Sequence, residues 1–271
     1  MAPPDPTAPP STLEDDCTDV LRKALRGQGS TLEWLASASH TDPACLATFA
    51  DGTFSAEIAR RVAPPLGLNP DAFARLPDYN PPSPDLPEIT RIALPYTWGS
   101  VNVWLIRHNG AVLVFDAGPD ADATRRAFAD LGVPKATAIF ITHLHADHTG
   151  GLPALANRNT MTYSPGLRGT FPLAPGAAIH CRSLVVRALD LSGHARPALG
   201  YCIDGLASPV LVTGDALFAG SIGGCSSPTA YQHALATLRA ALDPLPPDTV
   251  LLPGHGPATR LGAERTNNPF L

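Results

Sequence analysis

The sequence predicts an α/β domain that is preceded by a small all-helical domain. Two clusters of five prolines each, one in residues 1–10 and one in residues 77–87, divide the chain of 271 residues. Between the clusters the apolar residues repeat with helical spacing, whereas after the second cluster β-rich runs alternate with helical patterns. Interleaved strands and helices are typical of a sheet whose faces are covered by helices.

The N-terminal part predicts a compact bundle of four or five short helices over residues 11–76. Residues 1–10 are predicted to be a disordered leader, since proline removes backbone donors and favours extended chain. The run "STLEDDCTDVLRKAL" begins with residues suited to a helix N-terminus, and turn residues separate it from three further helical patterns. Residues 77–88 are predicted to be a semi-rigid, proline-rich linker.

Residues 89–271 predict the α/β domain. "VNVWLIR" and "AVLVFDAG" are strand patterns, and Asn109 and Gly110 between them predict a tight hairpin. A helix over "DADATRRAFADLGV" and a buried strand over Ala136–Thr142 follow. Further strand patterns are "SLVVRALD", "LGYCID", "PVLVTGD" and "TVLLPGHG", and the later helical patterns are "SPTAYQHALATLRAAL" and "ATRLGAER".

Composition and charge argue against several classes of protein. The net charge is −5 and the basic residues are scattered, so no surface for a polyanion is indicated. The five cysteines are odd in number and never form a CxxC pair, which favours a reducing compartment over a disulfide framework. Neither a signal-peptide pattern nor an apolar run of the roughly 18 residues that cross a bilayer is found. We therefore expect a cytoplasmic protein without a membrane partner.

The stretch "THLHADHTGG" holds three of the nine histidines of the chain. It follows the predicted strand "AIFIT", and ligands are commonly placed on the loop that leaves a strand end. His143 and His145 can point toward one cation in extended chain, whereas Asp147 and His148, on the turning loop, can reach a neighbouring one. Because four unpaired polar side chains would be costly to bury, the pattern predicts a metal site.

Three further candidate ligands stand in similar surroundings. His194, Asp215 and His255 each follow a strand-like run and lie beside glycine, which lets the backbone approach a metal closely. The remaining histidines lack that context, and we expect ordinary structural roles for His40, His108, His180 and His233. A set of imidazoles and carboxylates without cysteine is expected for zinc, iron or manganese.

These residues resemble the metallo-β-lactamase superfamily, and within it the glyoxalase II-like (hydroxyacylglutathione hydrolase-like) hydrolases. The HxHxDH signature stands here as residues 143–148, and "GDALFAGSIG" and "PGHGPATRLGAERTNNPFL" extend the resemblance, which runs from about Ile89 to the C-terminus. The resemblance implies an αββα sandwich, with two sheets back to back, helices outside and the metals at one edge.

The resemblance also implies that two divalent metal ions share the ligands. One ion would be held by His143, His145 and His194, the other by Asp147, His148 and His255, and Asp215 would bridge both. We expect zinc first, with iron or manganese as alternatives, and we take Asp147 and Asp215 as the catalytic carboxylates.

The ligand set predicts hydrolytic chemistry without a serine or cysteine nucleophile. Two ions about 3.5–4 Å apart can share a hydroxide whose pKa is lowered, and they can stabilise an oxyanion and a leaving group. Asp116, which ends the strand in "VLVFDAG", is placed to orient a ligand histidine from the second shell of the site, although an aspartate that opens a turn is the equal alternative.

Two departures from the glyoxalase II pattern bear on the substrate. Sixteen residues follow His255, so we expect the helical element that supplies much of the glutathione site in that family to be missing. The segment after "GDALFAGSIG" reads "GGCSSP", which is expected to place Cys225 near the mouth of the site, unless Cys225 is a small buried residue.

Residues 11–76 also resemble a degenerate helix-turn-helix domain of the kind found in phage-repressor-like regulators. Residues 11–78 carry six basic and ten acidic residues, a net charge of −4, and such a surface would repel DNA. We therefore expect a structural or dimerisation role for this segment, compatible with a homodimer and without a nucleic-acid partner.

The leading functional hypothesis is a dinuclear metal-dependent hydrolase that acts on a thioester or a related small ester. The ligand pattern leaves a mononuclear iron persulfide dioxygenase of the same superfamily as an alternative. A third hypothesis is a metabolite-sensing regulator whose N-terminal domain binds DNA. All three imply a small-molecule ligand.

Overall fold

The computed structural model describes residues 13–271 other than 85, 98, 134 and 158, so the predicted leader, residues 1–10, lies outside the described residues. Two six-stranded sheets lie back to back, and helices cover the outer face of each sheet. The αββα sandwich is therefore confirmed.

The helices and strands follow one another along the chain in two blocks. The N-terminal helices are α1 (Cys17–Gln28), α2 (Leu32–Ala38), α3 (Pro43–Ala50), α4 (Ala56–Val62) and α5 (Pro70–Arg75). The later helices are α6 (Ala121–Asp130), α7 (Ala146–Thr149), α8 (Leu152–Leu155), α9 (Pro228–Leu242) and α10 (Leu261–Asn267). The strands of the first sheet are β1 (Ile89–Tyr96), β2 (Gly99–His108), β3 (Ala111–Phe115), β4 (Ala138–Phe140), β5 (Met161–Ser164) and β6 (Phe171–Pro172). Those of the second are β7 (Ala178–Cys181), β8 (Leu184–Asp190), β9 (Leu199–Asp204), β10 (Val210–Gly214), β11 (Val250–Pro253) and β12 (Thr259–Arg260).

Each N-terminal helix begins after a side chain that caps it. The carboxylate of Asp16 accepts from the backbone N–H groups of Thr18 and Asp19, and Asp19 accepts from the N–H of Asp16, which completes a capping box. The caps of the next four helices are Thr31, Asp42, Ser55 and Asn69. Since each cap contributes about 1 kcal/mol, the helix starts in this segment are encoded locally.

The first sheet mixes antiparallel and parallel strands in the order β1-β2-β3-β4-β5-β6. β1, β2 and β3 are antiparallel, and β3 to β6 are parallel. Asn109 and Gly110, with φ of 47° and 75°, form the predicted hairpin turn between β2 and β3. Because β3 and β4 are parallel, their carboxyl ends meet at one edge of the sandwich.

The second sheet brings two more carboxyl ends to that edge. Its order is β12-β11-β10-β9-β8-β7, and only β10 and β11 are parallel. After β4, the carbonyl of Thr142 accepts from the backbone N–H of Leu199 at 2.8 Å, and Leu199 begins β9. This contact joins the two sheets beside the ends of β4 and β10.

The core between the sheets is built from alternate residues of the strands. On β2, Trp104 and Ile106 enter the cluster between the sheets, while Val103 and Leu105 enter a second cluster under α6 and α8. The sheets are thus buried on both faces, and loops at their edges are free to carry polar side chains.

The N-terminal helices pack on the outer face of the second sheet. Leu21 of α1 and Leu35 of α2 share one buried cluster with Leu211 of β10 and with α9. The helices α1 and α9 are in close contact, because a Cβ on Gly27 would lie 2.5 Å from the ring of Tyr231. Since this cluster spans both parts of the chain, a division into two domains at residues 77–88 stays a prediction.

Some elements had no clear signal in the sequence. The patterns did not single out β1, β5, β6 and β7, and "ATRLGAER" predicted only a helix, whereas Thr259 and Arg260 form β12 before α10 begins. These strands are held by backbone pairing with neighbours, which a local pattern does not reveal.

All five cysteines are free thiols. Within the described part of the chain, none of the helices combines the length and the apolar character that crossing a membrane requires.

Candidate metal centre

The "THLHADHTGG" motif leaves β4 and enters a short helix. His143 and His145 stand in the chain between β4 and α7, and α7 begins directly after His145. Asp147 and His148 lie inside α7, not on the open loop that the sequence predicted. His143, Asp147 and His148 are buried, and His145 is exposed.

The other predicted ligands reach the same edge from the second sheet. His194 lies between β8 and β9, Asp215 follows β10, and His255 follows β11. All seven predicted ligands therefore come together at the edge where the carboxyl ends of β4, β10 and β11 meet. Among the described residues, none of the four histidines expected to have structural roles joins a ligand group.

The first group of ligand atoms comes from His143, His145, His194 and Asp215, and these atoms lie within 4.8 Å of one another. Oδ2 of Asp215 is 3.5 Å from Nε2 of His194 and 3.9 Å from Nε2 of His143. Nδ1 of His145 lies 2.9 Å from Nε2 of His143 and 3.2 Å from Nε2 of His194. Three imidazole nitrogens and one carboxylate oxygen thus converge on a space of the size of one ion.

The second group comprises Asp147, His148 and His255. Nε2 of His255 is 3.3 Å from Oδ2 of Asp147. Asp215 borders this group as well, because its Oδ1 is 3.3 Å from Nε2 of His148 and its Oδ2 is 3.5 Å from Nε2 of His255. Asp215 therefore stands between the two groups, in the position that the resemblance implies for a bridging ligand.

Three of the imidazoles are oriented by an acceptor on the side away from the centre. The Nδ1–H group of His148 donates to Oδ2 of Asp116 at 2.7 Å. That of His194 donates to the carbonyl of Gly224 at 2.7 Å, and that of His255 donates to the carbonyl of Ser100 at 2.8 Å. In the neutral imidazole with Nδ1 protonated, Nε2 presents a lone pair to the centre.

Asp116 is itself held rigidly behind His148. It follows β3 with φ of 61°, a left-handed conformation that is costly for a residue other than glycine. Its carboxylate accepts from the backbone N–H of Thr142 at 2.8 Å and from the hydroxyl of Thr142 at 2.9 Å. Asp116 thus contacts His148, and its functional role stays a prediction.

Two buried atoms at the centre have no hydrogen-bond partner among the described residues, namely Nε2 of His148 and Oδ1 of Asp215. They face each other at 3.3 Å, and both are acceptors when His148 donates through Nδ1. Two buried acceptors this close need a cation or a proton between them. Since imidazole and carboxylate suit zinc, iron and manganese, the residues present fit a divalent metal.

The ionisable groups of the centre are strongly coupled. Burial, and next the positive charge of His148, lower the pKa of His143 to about 2. Burial opposes the charge of His255, yet its contacts with Asp147 and Asp215 outweigh burial and raise its pKa to about 10. Burial also opposes ionisation of Asp215, but His148 and His255 hold the pKa of this carboxyl well below its usual range. Without metal, the raised pKa of His255 favours its protonated form, and a bound cation has to displace that proton.

Two glycines let the chain approach Asp215. A Cβ on Gly254, beside His255, would lie 2.1 Å from Oδ1 of Asp215, and a Cβ on Gly223 would lie 1.9 Å from the Asp215 carbonyl oxygen. A side chain at either position would displace the carboxylate or its backbone. The close approach that the sequence predicted for a glycine beside a ligand is therefore present at Gly254.

A pocket of about 420 Å³ opens onto both ligand groups. Five ligands line it: His145, Asp147, His194, Asp215 and His255. The rest of its wall includes Tyr96, Thr97, Gly99 and Ser100 from the adjoining ends of β1 and β2 and the turn between them, and Glu14 from the segment before α1. Sequence reasoning missed these residues, because Ser100 acts through a backbone carbonyl and Glu14 is distant in the chain.

Cys225 does not stand at the mouth of the site. Its side chain is 4% exposed and lies in the cluster shared with α1 and α9. Burial raises the pKa of its thiol to about 11. The expectation of a thiol near the mouth is wrong because the carbonyl of Gly224, not the next side chain, faces His194. The alternative of a small buried residue is confirmed.

Comparisons with known proteins relate the centre to one family. A family model described as the metallo-beta-lactamase superfamily matches residues 96–179. A hydroxyacylglutathione hydrolase of Albidiferax ferrireducens is 32% identical over 150 residues, which are 52% of this chain and 58% of that protein. The chain therefore spans less than two thirds of the length of this relative.

Two further proteins are similar over most of their own length. The probable metallo-hydrolase YqgX of Bacillus subtilis is 26% identical over 196 residues, which are 63% of this chain and 92% of that protein. The crystal structure of TTHA1623 in a di-iron-bound form has a TM-score of 0.53 and 27% identity, and the match covers 66% of this chain and 100% of that one.

Proposed function

Because residues 96–179 match the model of the metallo-β-lactamase superfamily, we propose that this protein is a metal-dependent hydrolase of a thioester or a related small ester. The family match, the shared fold and two relatives named for hydrolysis support this activity. The observation that carries the proposal is the position of Asp215, which lies within 3.9 Å of His143 in one ligand group and within 3.5 Å of His255 in the other.

The ligand geometry supports two divalent ions. His143, His145 and His194 would hold one ion, Asp147, His148 and His255 would hold the other, and Asp215 would lie between them. Zinc is the first candidate, followed by iron and manganese, because this ligand set suits all three metals. The similar structure described with two irons supports occupancy of both groups.

Residues of this chain orient the imidazoles and line the pocket in which the reaction would take place. When bound, ions of this kind polarise an acyl carbonyl and lower the pKa of water. Asp116, Ser100 and Gly224 fix the imidazoles so that their Nε2 lone pairs stay directed at the centre. Asp147 and Asp215 line the pocket with carboxylate oxygens, which can take up a proton as water attacks the acyl carbon. The buried thiol of Cys225 takes no part.

Metal analysis followed by a substrate panel tests this function. The protein is purified without added metal, its metal content is measured, and thioesters, lactones and persulfides are assayed with parallel recording of oxygen uptake. We expect about two ions per chain, thioester hydrolysis and no oxygen uptake. About one iron per chain with persulfide-dependent oxygen consumption would instead establish the dioxygenase alternative.

We propose a structural role for the N-terminal helices. They bury Leu21 and Leu35 against the second sheet and α9, and their charge of −4 disfavours contact with DNA. Gel-shift titration of the full chain against DNA checks this, and sequence-specific, salt-sensitive binding would revive the regulator hypothesis.

A further inference from the structure

The segment that precedes α1 is fastened to the loops that carry the metal ligands. Asp15 forms an ion pair with Lys23, and Nζ of Lys23 donates to the carbonyl of Ile222 at 2.8 Å. The same ammonium lies over the ring of Phe218, 5.0 Å from its centroid. Residues 217–225 follow Asp215 along the chain, so this network holds the segment beside the pocket.

Glu14 enters the wall of the pocket through this arrangement. It packs on Gly256, where a Cβ would lie 3.1 Å from Cβ of Glu14, and it lines the same pocket as Asp147 and Asp215. The side chain of Glu14 is 32% exposed, so part of it is accessible to solvent.

The carboxylate of Glu14 is close to a ligand but does not orient it. Oε1 of Glu14 is 3.8 Å from Nδ1 of His255, which is too far for a hydrogen bond. That nitrogen already donates to the carbonyl of Ser100 at 2.8 Å. Since the backbone carbonyl orients His255, the carboxylate of Glu14 is available to a molecule in the pocket.

No basic side chain offsets Glu14 in the described wall of the pocket. Two basic residues lie nearby, and neither forms an ion pair with Glu14 within 4.0 Å. Lys23 pairs with Asp15, and Nε of Arg91 donates to Oδ1 of Asn102 at 2.7 Å. Among the described residues, the ion-pair neighbour of Glu14 within 4.0 Å is His255 alone. A substrate therefore meets the side chain of Glu14 beside the ligand groups.

We infer that Glu14 determines substrate specificity by binding a positively charged group of the thioester or ester and by disfavouring an anionic one. This inference rests on the proposed function, which it narrows to acyl compounds that carry an ammonium group. Glu14 and Asp215 line one pocket of about 420 Å³, so a small molecule can present its acyl group to the ligand centre and its cation to Glu14. A partly enclosed charge pair of this kind selects between substrates of opposite charge.

Three thioacetates of similar size and different charge test the inference. Acetylthiocholine is cationic, 3,3-dimethylbutyl thioacetate is its neutral isostere, and S-acetyl-3-mercaptopropionate is anionic. With wild-type protein we expect kcat/KM for acetylthiocholine to exceed that for the neutral isostere by about tenfold, as a charge pair of this strength provides. The anionic compound should be the poorest substrate.

Variants of Glu14 test whether its charge causes the preference for the cationic substrate. Glu14→Gln should lower kcat/KM for acetylthiocholine by about tenfold relative to kcat/KM for the neutral isostere, chiefly by raising the KM for acetylthiocholine. Glu14→Lys should favour the anionic compound. Glu33→Gln, which makes the same change at an exposed position of α2, should behave as wild type. Metal content should be equal in all four proteins.

Binding of products separates this inference from the proposed function. Titration calorimetry with the metal-loaded protein compares thiocholine with 3-mercaptopropionate, and Glu14→Gln should weaken thiocholine binding by about tenfold. If the thioacetates are cleaved but neither kinetics nor binding depends on Glu14, the inference is wrong and the hydrolase function stands. If none is cleaved and the metal analysis also fails, the proposed function is wrong, and the same calorimetry on the protein as purified still decides whether Glu14 selects a cation.

Discussion

Two buried carboxylates of this protein, those of Glu264 and Asp215, differ in whether other protein groups donate hydrogen bonds to their oxygens. Glu264 in α10 is fully buried, and its oxygens accept hydrogen bonds from four groups. The donors are the hydroxyl of Tyr79 (2.6 Å), the hydroxyl of Thr259 (2.9 Å), the N–H of Gly220 (2.8 Å) and Nδ2 of Asn268 (3.0 Å). Asp215 is 7% exposed, yet its Oδ1 has no hydrogen-bond partner among the described residues, and imidazoles surround it.

The difference separates a structural network from a binding site. The network of Glu264 is complete without any added group, and Asn268 extends it to the carbonyls of Phe218 and Ser221. It therefore ties the C-terminal helix to the loop after Asp215. The cluster around Asp215 leaves inward-facing acceptors, and a low-polarity interior makes such acceptors costly unless a cation occupies the space. Burial alone does not distinguish the two carboxylates, but hydrogen-bond satisfaction does.

The largest expected effect is that of Asp215→Ala, which removes the carboxylate between the two ligand groups. Turnover should fall by at least about 100-fold, because loss of a group that acts in catalysis typically costs this much. Circular dichroism and thermal unfolding should show a folded protein. Asp130→Ala, at an exposed position of α6, is the control and should keep full activity. Retention of more than about a tenth of wild-type activity in Asp215→Ala would contradict the shared-ligand role.

A smaller effect is expected for each histidine of the second group. His148→Ala and His255→Ala should each lower the metal content from about two ions per chain toward one, and hydrolysis should fall with it. Elemental analysis measures the metal, and His180→Ala, outside both groups, serves as the control. Metal content that starts near one and does not change would place these histidines outside the metal-binding set.

Because the hydrogen-bond network of Glu264 is complete without any added group, a substitution of Glu264 should lower stability without a loss of metal. Glu264→Ala leaves its donors unpaired in the interior and should lower the free energy of unfolding by about 2–4 kcal/mol. Urea unfolding measures this change, and Glu264→Gln, which keeps an acceptor, should cost less. If Glu264→Ala instead lost metal at unchanged stability, the distinction between the two carboxylates would fail.

The smallest expected effect is the pH dependence of metal binding. Contacts with Asp147 and Asp215 raise the pKa of His255 from 6.5 to about 10, so a proton occupies this imidazole in the metal-free protein at neutral pH. Because metal binding releases that proton, affinity should rise with pH, by up to about tenfold per unit for each proton displaced. The rise should end above pH 10, where His255 is already neutral. Competition with a chelator measures the slope, which should be smaller in His255→Ala.

The ligand set could be predicted because its chemistry is encoded locally. Residues 143–148 place four ligand types directly after a strand, and glycine marks the three more distant positions. The assignment of these residues to two groups, and the choice of an αββα sandwich, depended on the family resemblance. From alternating strands and helices alone, only the α/β class followed. The weak pairing signals of β5, β6 and β12 illustrate why, since each of these strands has at most four residues.

By itself the sequence determined the α/β class, the capped helices before it, and the histidines and aspartates of the ligand set. Only the tertiary structure decided which groups surround them. The carbonyls of Ser100 and Gly224 have no signature in the sequence, because every residue carries one and only packing selects which carbonyl meets an imidazole. The same holds for Glu14, whose place beside His255 follows from packing of the N-terminal segment on the opposite end of the chain. Contacts between distant residues depend on the whole set of buried surfaces, and no local pattern specifies them.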